Sequence, residues 1–146
     1  MSIQDLLARL VDALKRSSIP YMLTGSLASS VHGLPRASND VDIVIAPTVE
    51  QLRSLKSSLP ESEYYFNLAD ALDSLKRRRQ FNVIELTSGW KIDFIIRKTR
   101  AFSVTEFERR LEINVQGVRL HVATAEDVVV QTADRRCCRR PEDPIQ

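Results

Sequence analysis

The residues best suited to chemistry lie in two short apolar stretches. Asn39-Asp40-Val41-Asp42-Ile43-Val44-Ile45 carries two carboxylates two positions apart, and Lys91-Ile92-Asp93-Phe94-Ile95-Ile96 carries a third. Alternate side chains of a strand leave opposite faces, so Asp40 and Asp42 share one face while Val41, Ile43 and Ile45 turn to the core. Carboxylates that close repel each other, and a divalent cation that favours hard oxygen ligands, Mg²⁺ or Mn²⁺, removes the conflict. Three strand carboxylates on one face could hold two such cations, which would clamp both the attacking and the leaving oxygen of a phosphoryl transfer. Gly25 and Ser26 stand about fifteen residues ahead of the pair. A glycine there permits close backbone approach, a following helix N-terminus offers N–H groups to phosphate, and the serine adds a hydroxyl donor.

Each of these groups also has a plainer reading. Aspartate favours strand starts and turns, so Asp40 could simply open its strand. Asp93 resists that reading, because an unpaired carboxylate buried among apolar neighbours is costly, and a salt bridge to Lys91 or Arg97 stays open for it. Lys76-Arg77-Arg78-Arg79 ends an expected helix, where cations meet the helix dipole favourably; a solvated helix end is preferred there over a phosphate or RNA patch. The same holds for Arg135 to Arg140, and neither run is interleaved with aromatic residues. His32 and His121 are isolated and are not expected to be catalytic. Trp90 is expected to pack against the sheet and Glu85 to lie on the surface. Cys137 and Cys138 read as free thiols.

These side chains must be positioned by elements readable from periodicity. Ile3, Leu6, Leu7, Leu10, Val11 and Leu14 predict a helix over 3–16, with Ser2 and Asp5 as a capping box. Tyr21–Thr24 reads as a short buried strand. A helix from Ser26 to His32 ends at Gly33, and Leu34 to Asn39 is a loop. Strand 41–45 follows, closed by Pro47. Val49 to Leu59 and Leu68 to Leu75 are amphipathic helices. Phe81–Leu86 and Trp90–Ile96 form a hairpin around Thr87-Ser88-Gly89. Glu106–Arg110 suggests a helical turn, Leu111–Val115 and Val118–Val122 a second hairpin joined at Gln116-Gly117, and Thr124 through Ala133 a last helix. Without strict βαβ alternation, the class is α+β, a mixed sheet flanked by helices.

The combination resembles a known family. Thr24-Gly25-Ser26, then Pro35-Arg36-Ala37-Ser38-Asn39-Asp40-Val41-Asp42, then Lys91-Ile92-Asp93-Phe94, is similar to the minimal nucleotidyltransferase domain of the DNA polymerase beta superfamily. By appearance it is most similar to the abortive-infection type II toxin nucleotidyltransferases. The resemblance spans about residues 5–130 and implies a nucleotidyltransferase-like fold. It implies Asp40, Asp42 and Asp93 as metal ligands and catalytic residues, with Asp93 also placed to activate an acceptor hydroxyl. It assigns Gly25 and Ser26 to the triphosphate and makes Arg36 and Ser38 helpers in nucleotide binding. Relatives usually continue with further helices where this chain runs into Arg135-Arg136-Cys137-Cys138-Arg139-Arg140.

Length and composition bound the rest. With 146 residues, 43% hydrophobic and 27% charged, the chain suits one folded domain and excludes wholesale disorder. One domain is expected over 1–133, with a polar, mobile tail over 134–146. No apolar run reaches the roughly 18 residues of a membrane span, and no export signal is evident, so a cytoplasmic protein is expected. The net charge of +2 does not by itself argue for nucleic acid. The expected activity is transfer of a nucleoside monophosphate from an NTP to a hydroxyl of a protein, an RNA or a small molecule, with Mg²⁺ or Mn²⁺, in a toxin–antitoxin or phage-defence setting. The alternative is an inactive nucleotide-binding or protein-interaction module of the same fold. The Val128-Val129-Val130 run suggests a homodimer.

Overall fold

A computed structural model describes residues 3–24, 40–115 and 118–124. The expected helix over 26–32, the loop over 34–39, the Gln116-Gly117 turn, the last helix beyond Thr124 and the tail over 134–146 lie outside the described residues, as does His32.

Helix α1 (Ile3–Arg16) buries Leu6, Leu10 and Leu14 completely, the stripe its sequence spacing requires. It stops at Ser17-Ser18, where Ser18 takes a left-handed φ of 57° and Ser17 N donates to Ala13 O. Strand β1 (Tyr21–Thr24) follows, then β2 (Asp40–Ile45). Helix α2 (Val49–Ser58) starts with a full capping box, Thr48 and Gln51 each bonding the other's backbone N–H. Strand β3 (Tyr64–Phe66), helix α3 (Leu68–Arg77), strands β4 (Gln80–Glu85) and β5 (Lys91–Ile96), helix α4 (Ala101–Glu108) and strands β6 (Leu111–Val115) and β7 (Val118–Val122) complete the described elements.

Together they make a mixed α+β fold on a seven-stranded sheet in the order β3-β4-β5-β2-β1-β7-β6. The β2–β5 and β1–β7 pairs are parallel and the other pairs antiparallel. One face carries Val41, Ile43, Ile45, Phe81, Val83, Ile92, Phe94 and Ile96, which join the leucines of α1 and α2 in the main core. Phe81 stacks on Phe94 at 5.3 Å between ring centroids. Trp90 packs at the margin of this core, as expected. On the other face α4 lays Phe107 over Met22, Val44 and Ala123.

Three local readings are corrected. Strand β3 was not legible, because its three residues are strand only through pairing with β4. The helical turn expected over 106–110 is instead α4, which begins five residues earlier. Glu85, expected on the surface, is fully buried on the core face, where it holds the β4–β5 turn. It accepts a hydrogen bond from the Ser88 hydroxyl, another from Ser88 N at 2.6 Å and a third from Thr87 N at 3.0 Å. The Ser88 hydroxyl bond and the two backbone N–H groups outweigh burial and bring its carboxyl down to about 2. Gly89 closes the turn at φ 76°, a conformation that side-chain-bearing residues rarely adopt.

Candidate active site

Asp42 and Asp93 are register partners on the parallel strands β2 and β5. Partners in a parallel pair point to the same side, and adjacent strands lie about 4.8 Å apart. The row continues on both flanks. Thr24 is the partner of Asp42 across β1, and Asn82 is the partner of Asp93 across β4. A polar row Thr24–Asp42–Asp93–Asn82 therefore crosses four strands on one face. In the next row along the strands Met22, Val44 and Ile95 are apolar, with Gln80 at the β4 end, and the first two of these lie beneath Phe107. In the row on the opposite side Asp40 faces Lys91. The period-two reading is thus correct: Asp40, Asp42 and Asp93 occupy one face, and the core-facing residues of β2 occupy the other.

Burial differs along this surface. Asp40 and Asp42 are partly exposed, whereas Asp93 is buried and its Oδ1 has no hydrogen-bond partner. The Lys91 Nζ stands 3.7 Å from that oxygen, close enough for charge attraction and beyond hydrogen-bond length. Of the two ion-pair partners open to Asp93, Lys91 is the one observed. Arg97 instead lies over the Phe107 ring, 5.5 Å from its centroid. Two ionised carboxylates about 5 Å apart repel by roughly 3 kcal/mol at an effective dielectric constant near 20. A buried carboxylate oxygen without a hydrogen bond, beside a second carboxylate, is a donor set that fits a hard divalent cation. Among the described residues, no three His, Cys, Asp or Glu side chains already converge on one point. The carboxylates share a face without forming a closed cage.

Gly25, Ser26, Arg36 and Ser38 lie outside the described residues. Sequence reasoning named Thr24 only as the start of the Thr24-Gly25-Ser26 run and missed Asn82; the place of each in the row depends on strand register. His121 lies against Tyr21, edge to face at 5.4 Å, in contact with the main core. Burial, followed by the Arg110 charge, lowers its pKa. A cleft of about 550 Å³ lined by Lys56, Tyr65, Asn67 and Leu86 lies at the β3 edge, away from the carboxylate row. Among the described residues it is strand register that identifies the row.

No protein-family model matches the chain, and no curated protein matches it. Among solved structures, it is similar to TM1012 of Thermotoga maritima, a protein provisionally named a nucleotidyltransferase. The two are 16% identical, with a TM-score of 0.63, over 92% of this chain and 84% of that one. JHP933 of Helicobacter pylori is 16% identical over 100% of this chain and 62% of that one; its TM-score of 0.41 carries no weight. At these identities the likeness is one of fold, and the fold is nucleotidyltransferase-like.

Proposed function

We propose that the chain transfers a nucleoside monophosphate from an NTP to an acceptor hydroxyl, with Asp40, Asp42 and Asp93 as the working carboxylates. The supporting observation is the Asp42–Asp93 register on adjacent parallel strands, with the Asp93 Oδ1 buried and lacking a hydrogen-bond donor. The likeness in fold to TM1012 agrees with the class of reaction.

In this reading Asp42 and Asp93, joined by Asp40, hold Mg²⁺ or Mn²⁺, with Gly25 and Ser26 on the triphosphate and Arg36 and Ser38 beside it. When bound, the cations would neutralise phosphate charge and stabilise the leaving pyrophosphate. The chain's own part is to position and to move a proton. The acceptor oxygen attacks the α-phosphorus, the bond to pyrophosphate breaks, and a carboxylate oxygen of Asp93 takes the hydroxyl proton. Its apolar strand neighbours Ile92 and Phe94, both fully buried, fix the backbone that carries it. Lys91 balances the carboxylates until the substrate arrives. Labelled-nucleotide transfer tests this directly: Asp93→Asn should lower turnover about 10²–10⁴-fold, the range for a positioned base, while NTP binding persists. Undiminished transfer would refute the role.

A cytoplasmic setting, a toxin–antitoxin or phage-defence role and a homodimer through the Val128-Val129-Val130 segment belong to the same proposal. A second reading has one observation in its favour. Lys91 already sits against Asp93, as suits a nucleotide-binding or protein-interaction module without turnover. NTP binding in the absence of any transfer would favour that reading.

A further inference from the structure

Two basic segments far apart in sequence meet at one corner of the sheet, where β4 begins and β5 ends. Lys76-Arg77-Arg78-Arg79 and Arg97-Lys98-Thr99-Arg100 place a cation at seven of their eight positions. The ladder pairs Gln80 with Ile95, Ile96 N donates to Arg79 O at 3.0 Å, and Arg78 Nη1 donates to Arg97 O at 3.2 Å. Asp73 offsets Arg77 at 3.1 Å.

A solvated helix end accounts for part of this charge only. Lys76 and Arg77 occupy the last turn of α3, where the dipole favours cations. Arg97, Lys98 and Arg100 follow a strand and precede the N-terminus of α4, where the dipole disfavours them, and the first turn of α4 has no acidic residue. Folding therefore concentrates like charge at some cost. Two residues past Arg100, in the first turn of α4, Phe102 is 37% exposed. Phe102 is mostly covered, so it offers part of a ring face on which a base can stack rather than a protruding side chain that could insert into a lipid surface.

We infer that this corner binds single-stranded nucleic acid, phosphates on Arg79, Lys98 and Arg100 and a base on Phe102. Arg97 lies four residues beyond Asp93, just past the end of β5 and about 13 Å away, so a bound strand would pass within a few nucleotides of the carboxylate row. The binding does not depend on turnover at that row.

The test is fluorescence anisotropy of a labelled 20-nucleotide single-stranded RNA with the full chain between 50 and 200 mM salt. Binding should weaken with salt by about 0.7 in log K per log salt for each phosphate neutralised. Arg79→Glu with Lys98→Glu should weaken it tenfold or more and flatten the slope, with circular dichroism unchanged. Phe102→Ala should weaken it about fivefold or more through lost stacking. The matched reversal Lys15→Glu with Arg53→Glu, on the exposed surfaces of α1 and α2, should change it less than threefold. Asp42→Asn should retain binding, which separates this inference from the proposed reaction. Absence of RNA binding at 50 mM salt, equal loss in the two reversals, or phosphatidylserine vesicles bound in place of RNA would overturn it.

Discussion

Lys91 carries its ammonium 3.7 Å from the Asp93 Oδ1 and sits in register with Asp40, so it adjoins carboxylates of two successive rows. The Lys91 side chain is 45% exposed, and a pair of that kind is worth at most about 1 kcal/mol. Lys91→Met should therefore lower metal-free stability only slightly. It should also tighten Mn²⁺ binding severalfold, because a positive charge beside the carboxylates no longer opposes the divalent ion. Titration calorimetry on both proteins checks this, and weaker Mn²⁺ binding in the variant would show that Lys91 supports the site instead.

Glu85 makes stability depend on acid. The turn's hydrogen bonds bring its carboxyl down to about 2 in the folded chain, against about 4.5 for an ordinary glutamate. The depressed value means that its contribution is complete above about 4.5 and is lost as the pH falls toward 2. Melting temperature followed from pH 6 to 2 should drop more steeply in the native chain than in Glu85→Gln, which begins lower and follows a flatter curve. Parallel curves would remove Glu85 from the account.

His121 acts in a separate window. Burial and the nearby Arg110 favour the neutral ring, so its folded pKa lies below the ordinary 6.5. Stability should be complete above about pH 6.5 and decline as the unfolded chain begins to take up the proton. His121→Gln should abolish the change between pH 7 and 5.5 and leave the lower window untouched.

Phe107 holds α4 on the face that also bears the carboxylates. It is buried over Met22 and Val44, with the Arg110 guanidinium 4.3 Å from its ring centroid. Phe107→Ala should cost about 3–5 kcal/mol, the range for emptying a buried aromatic site. Urea unfolding measures this directly, and a loss under about 1 kcal/mol would show that α4 is anchored elsewhere.

How much of this was readable in advance follows physical lines. The alternation around Asp40 and Asp42, and the apolar neighbours of Asp93, exposed the carboxylates, because strand periodicity is local. That Asp42 stands beside Asp93, with Thr24 and Asn82 extending the row, is a matter of long-range register that no local pattern encodes. Glu85 looked like a surface residue because its partners, Thr87 and Ser88, are backbone and hydroxyl donors that become available only once the turn forms. Helix α4 was underestimated because Phe107 is its one buried aromatic, which leaves little helical periodicity to read. The basic corner is legible only when β4 and β5 pair, since each segment alone resembles solvated charge.

The carboxylate row is tested most directly by thermal shift with nucleotide and metal. An NTP should raise the melting temperature of the native chain only when Mg²⁺ or Mn²⁺ is present, because a ligand that binds the folded state alone shifts the unfolding equilibrium. Asp42→Asn should remain folded and lose that shift. A shift of equal size in Asp42→Asn, or one that needs no divalent ion, would contradict the assignment of Asp42 and Asp93 as a metal–nucleotide site.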